Sequence, residues 1–163
     1  MAGDVVISTC QDCGLHSQRG EPGCSELRDQ LLAPDFERPV LYWRYHRLAV
    51  DAYCVQHAPY VESAKSLAAH LCGLCIALEM DNDEEAMRRV QQWLNMNPGL
   101  DKPPLPEDRG SLTIKHVHGL VDPVAYGAAV QEWAQSAWDA YRDLHLTARE
   151  WITRSRSAQR RLK

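Results

Sequence analysis

The chain has 163 residues, 45% of them hydrophobic and 25% charged, with 18 basic and 22 acidic side chains for a formal charge of −4. Those are the proportions of an ordinary globular chain, long enough to bury a real core and too short for two substantial ones. Residues 149–163 hold six basic side chains and one acid, a net of +5, which leaves −9 on residues 1–148; an acidic body with a basic tail disfavours nucleic acid as a partner except through that tail.

Residues 1–24 open as MAGDVVISTC, without the basic and apolar regions of a signal peptide, and no window in the chain approaches the ~18 apolar residues of a membrane span. The expectation is a cytoplasmic protein that does not engage a membrane. In a reducing compartment the six cysteines point to metal or to burial rather than to disulfides. This first segment carries Cys10, Cys13, Gly14, Gly20, Pro22, Gly23 and Cys24 with no sustained apolar period, so something other than a core must hold it. Cys10-Gln11-Asp12-Cys13-Gly14 is a CxxC followed by glycine, in which two thiolates can share one ion and the glycine lets the backbone turn beneath it. Zinc is the natural ion.

A short helix over residues 25–32 follows, stopped by Pro34. Pro39 suits the first turn of a helix reaching His57, with Val40, Tyr42, Trp43, Leu48, Val50 and Ala52 as packing residues, and Pro59 ends it. On such a helix Cys54 and His57 are i, i+3 neighbours on one face, a spacing that suits two ligands of one ion. Cys10, Cys13, Cys54 and His57 therefore make a candidate Cys3His zinc site. Cys24, His16 or His46 completing the site in place of Cys54 and His57 is the competing arrangement.

The clearest helical period runs over residues 62–79, through Ala64, Leu67, Ala68, Leu71, Leu74, Cys75 and Leu78, and marks a core helix. Cys72 and Cys75 form a second CxxC inside it, away from the helix start that would activate a redox dithiol, and read as buried thiols. Ser63, Ser66, His70, Gly73 and Ala77 form a row of mainly small residues that permits close helix approach and leaves His70 polar and partly buried. Asn82 is placed to cap a further helix that begins with Asp83, Glu84 and Glu85, carries Val90, Trp93 and Leu94, and ends before Pro98.

Four prolines in residues 95–110 predict an irregular loop, a possible lid. Leu112, Ile114, His116 and His118 alternate with Thr113, Lys115 and Val117, which suggests a short extended segment. Asp122 and Pro123 open a last helix with Val130, Trp133, Ala137, Tyr141, Leu144, Ala148 and Trp151 on its stripe, continuing toward the tail. The candidate catalytic residues are His70, His116 and His118, with Asp51 and Glu79 as carboxylates that could orient them. Satisfied structural histidines are the competing reading. No phosphate-cradling glycine loop, GxSxG elbow or HExxH helix occurs.

CQDCG at the start, DAYCVQH at 51–57, SAKSLAAHLCGLC at 63–75 and KHVHG at 115–119 together cover most of the chain, and in that order it resembles an uncharacterised bacterial family, a domain of unknown function. The resemblance implies that these segments belong together and favours pairing Cys10 and Cys13 with Cys54 and His57. It implies no activity. One departure is Ala58, which stands where proline is expected directly after the histidine.

The predicted architecture is a mainly α-helical single domain over residues 1–163. It comprises a zinc-knuckle segment (1–24), helices (25–94), the proline-rich loop (95–110), a long helix region (111–151) and a basic tail (152–163). The expected function is a zinc-binding small helical protein whose Zn2+ is mainly structural and which binds a protein or small-molecule partner. A small metal-assisted or acid–base enzyme with a histidine-lined pocket is the alternative.

Overall fold

The architecture, taken from a computed structural model, describes residues 7–33 and 39–160, and for residues 39–44 the backbone alone. The expectations for Pro34, for the packing of Val40, Tyr42 and Trp43, and for the last three tail residues lie outside the described residues.

The N-terminal segment folds as a small hairpin. Strand β1 (Ile7–Thr9) pairs antiparallel with β2 (His16–Gln18), Ser8 opposite Ser17. The Cys10–Leu15 turn between them is closed by Cys10 N–H donating to Leu15 O at 2.9 Å and Gly14 N–H donating to Cys10 O at 3.0 Å. Gly14 sits at φ +71°, the left-handed conformation that favours glycine. Helix α1 (Cys24–Leu32) begins directly at Cys24, where the Glu26 carboxylate accepts from Gly23 N–H at 3.0 Å.

Six α-helices are present among the described residues. After α1 come α2 (Pro39–Gln56), α3 (Ala64–Glu79), α4 (Glu84–Asn95), α5 (Pro123–Ala140) and α6 (His145–Arg160). Helix α3 is the hub, touching α2, α4, α5 and α6. Its sequence explains the position: Leu67, Ala68, Leu71, Cys72, Leu74, Cys75 and Ile76 are all fully buried, and a helix apolar around most of its circumference must be surrounded. Helix α4 is two-faced instead, hiding Ala86, Met87, Val90, Trp93 and Leu94 against α3 and α6 while Glu84 and Arg88 face water. Close approach of α2 is built on two glycines. A methyl at Gly73 would collide with the Asp51 carboxylate, and one at Gly127 with the Tyr45 ring.

Three local expectations are corrected. Asp83, not Asn82, caps α4: its Oδ1 accepts from Ala86 N–H at 3.0 Å, while Asp81 and Asn82 turn through left-handed conformations. Residues Ile114–His116 form a 3-10 turn rather than an extended segment, because the Thr113 side chain caps the turn and His118 N–H donates to Ile114 O at 3.2 Å. The expected single C-terminal helix is two. It breaks at Tyr141, whose hydroxyl donates to Val55 O at 2.6 Å, and His145 secures the corner by stacking on Trp138 at 3.8 Å and donating to its carbonyl at 2.9 Å.

The proline-rich loop is irregular as expected and is fastened rather than free at its end. The buried Gln56 amide donates to Arg109 O at 2.9 Å and Leu112 O at 2.8 Å, and accepts from the Trp133 indole at 2.8 Å. No helix among the described residues is long and apolar enough to cross a membrane.

Candidate metal centre

Helix α2 stops at Gln56, and His57 has left the helical conformation with φ −124° and ψ 113°. The i, i+3 relation between Cys54 and His57 is thereby lost. Cys54 stays on the helix, buried away from the hairpin. His57 swings toward the N-terminal hairpin and meets Cys10, Cys13 and Cys24, with one ligand atom from each of the four lying within 4.8 Å of the others. The geometric Cys3His group therefore contains Cys24 where the i, i+3 argument places Cys54.

Each member is positioned by local structure. Cys10 and Cys13 flank the tight hairpin turn, and Cys24 is the first residue of α1. The imidazole of His57 stacks on Tyr53 at 4.1 Å and its Nδ1 donates to Tyr53 O at 2.7 Å. That fixes the tautomer and leaves the Nε2 lone pair available. His57 Nε2 is buried with no hydrogen-bond partner, an orphan acceptor facing three thiols. A metal-ligating histidine typically shows this pattern, one nitrogen held by a carbonyl and the other free for the ion.

The sulfurs of Cys13 and Cys24 are 3.3 Å apart. The hydrogen bond from Cys24 draws Cys13 down to about 4, and the same bond pushes Cys24 upward, so the two share one proton. A cation at the centre would displace that proton and take both as thiolates. The hairpin is tied to the end of α2 by Asp12, whose carboxylate accepts from Ala58 N–H at 3.2 Å and from Arg109 at 3.4 Å. A cavity of about 430 Å3 lies over the cluster, bordered by Cys10, Cys24, Tyr53, His57 and Tyr60.

The three candidate catalytic histidines meet different partners. His70 Nδ1 and Asp51 Oδ1 are 2.8 Å apart, so Asp51 does orient that ring. His116 donates to Glu132 at 2.8 Å and His118 to Gln30 Oε1 at 2.9 Å, both in exposed positions. Because 114–116 is a turn, alternation no longer places His116 and His118 on one side. Glu79 faces away from His70 and is saturated by the Trp138 indole at 3.0 Å and Arg149 at 2.8 and 2.9 Å. Cys72 and Cys75 are fully buried, as expected, and burial pushes both thiols up, Cys75 to about 12.

Sequence reasoning did not find the parts played by Asp12, Tyr53 and Gln56. Asp12 and Gln56 act on backbone groups brought close only by the fold, so no residue spacing announces them, whereas Tyr53 acts through its own carbonyl four residues before His57, a local contact set by where α2 stops. For Cys24 a signal existed: a cysteine directly after Pro22-Gly23, at a helix start, 11 residues beyond Cys13.

A family model described as a family of unknown function, DUF5946, matches residues 8–142, a span that contains all four members of the cluster as well as Asp51 and His70. No curated protein and no solved structure matches the chain.

Proposed function

The chain belongs to DUF5946, a family of unknown function, and we propose that Cys10, Cys13, Cys24 and His57 bind one zinc ion whose role is structural, in a small helical module that binds a partner. The observation that carries the reading is the orphan His57 Nε2, buried among three thiols and held in the right tautomer by Tyr53. Three thiolates and one imidazole fill a tetrahedral shell, the donor set of a structural rather than a catalytic zinc. Such an ion would clamp the hairpin and the start of α1 onto the end of α2. Zinc-binding thiols must stay reduced, which suits a cytoplasmic setting.

Metal analysis of purified protein tests the ligand set. One zinc per chain is expected, lost in Cys10→Ser and Cys24→Ser together with thermal stability and retained in Cys54→Ser. Metal-free folded wild type, or zinc lost from Cys54→Ser and kept by Cys24→Ser, would overturn it.

A further inference from the structure

A second cavity, about 400 Å3, lies between α2, α3 and α4 and includes none of the four cluster residues. Its lining carries Arg47, Lys65 and His70 and no carboxylate. On a body with a net charge of −9 that composition is a local reversal of sign. Each cation is held in place. Lys65 Nζ donates to Asn97 Oδ1 at 3.0 Å, Arg47 Nε stands 3.7 Å from Asp51 Oδ2, and the His70 ring is fixed by Asp51 Oδ1. The Asp51 carboxylate is itself buried beneath the ring, in a space that exists because residue 73 is glycine.

Burial opposes charge on His70, but its hydrogen bonds to Asp51 and Cys54 outweigh that and raise it to about 9, so the ring is cationic at neutral pH. His70 therefore enters the cavity as a positive charge rather than as a proton acceptor. With Asp51 counted, the three cations leave a net of +2, equal and opposite to the charge of a phosphate dianion. Ser66 lines the same wall with its hydroxyl donating to Ser63 O at 3.0 Å, and the half-buried Ala69 of α3, with the almost fully buried Val90 and Leu94 of α4, makes the apolar part of the lining. A few convergent polar groups beside an apolar surface, in a space of this size, are the ordinary makings of a small-molecule site.

We propose that this cavity binds a small phosphate monoester, its dianion held by Arg47, Lys65 and His70 and its organic body resting against Ala69. The proposal deepens the reading of the chain as a binding module by giving the ligand a chemical class and a place. Bidentate guanidinium and ammonium contacts of this kind are the usual means of phosphate recognition.

The test is a titration of the zinc-loaded full chain with phenyl phosphate, inorganic phosphate and benzoate, followed by amide chemical shifts. Saturable shifts at Ser66, His70 and Gln91 are expected with phenyl phosphate at millimolar or lower concentration, weaker with inorganic phosphate and weaker again with benzoate. Arg47→Gln and Lys65→Gln should each weaken phenyl phosphate by about tenfold, as loss of one charge-assisted contact does. Lys115→Gln, which removes a distant cation paired with Glu21, should leave it unchanged. No saturable shift at about 20 mM ligand, a concentration at which even millimolar affinity saturates, would overturn the proposal. Equal weakening in Lys115→Gln would do the same by revealing only general screening, and tighter binding of benzoate would remove the phosphate assignment. Zinc content measured on the same samples keeps failure of this site distinct from failure of the metal centre.

Discussion

At the scale of single residues, the most informative group is the buried pair of His70 and Asp51. Burial pushes the Asp51 carboxyl up, while His70 and Arg47 oppose that. For His70 the folded value of about 9 lies above the ordinary 6.5. Its contribution to stability is therefore complete below pH 6.5 and is lost as pH rises through about 9. The shift corresponds to about 3 kcal/mol at most. The charged and titratable groups around the ring are Asp51, Cys54 and Arg47 from α2 and Lys65 of α3 in the same cavity, whereas α4 contributes only the uncharged Val90, Gln91, Leu94 and Asn95. Urea denaturation between pH 6 and 10 should show the wild type losing stability toward the upper end, with His70→Gln flatter across the same window. Parallel curves for the two proteins would remove the ion pair from the account.

At the scale of elements, what the sequence made legible was whatever depends on local pattern. The apolar run of α3 marked it as the buried helix, and Asp122-Pro123 marked the start of α5, where the Asp122 carboxylate accepts from Ala125 N–H at 2.8 Å. The misplaced features depend on contacts remote in sequence. The break at Tyr141 is made by a hydroxyl reaching Val55, and an apolar stripe that continues through the break conceals it. The choice between Cys24 and Cys54 turned on whether His57 is the last residue of α2 or the first beyond it. One residue of helix length decides which side of the chain its imidazole faces. The start of α4 is a similar one-residue matter and can be checked directly. Asp83→Ala should cost about 1 kcal/mol, the usual loss for an N-cap carboxylate. Asn82→Gly should stay within about 0.5 kcal/mol of wild type, because φ +55° is a conformation that glycine adopts freely. Chemical denaturation of the two variants gives the comparison, and the reverse order would restore Asn82 as the cap.

At the scale of the whole molecule, the helices and the N-terminal hairpin draw on different sources of stability. Helices α2 to α6 bury Leu67, Leu71, Leu74, Ile76, Trp133 and Trp138 with almost no exposure, enough apolar surface to hold together without an ion. The hairpin offers the core little more than Cys13 and Leu15, and its first strand is exposed throughout. A two-stranded hairpin of this kind is marginal by itself. Its polar attachments include the Asp12 contacts to Ala58 and Arg109, the exposed Glu21–Lys115 pair and the four groups of the candidate metal centre. Under the proposed reading, bound zinc with three thiolates would add about −1 to an already acidic body, so the ion would stabilise by cross-linking the segment and not by neutralising the surface. Removing it with a strong chelator under reducing conditions should then act locally. Amides of residues 8–24 should lose protection from hydrogen exchange, while those of α3 keep theirs and helical circular dichroism falls only slightly. The amides of Ser111 and Leu112 should remain protected, because both donate to Ser136 Oγ while Gln56 holds the neighbouring carbonyls from inside the bundle. Loss of protection in α3 together with the hairpin would mean that the ion supports the core itself, and unchanged protection at 8–24 would mean that the thiols hold no structural metal.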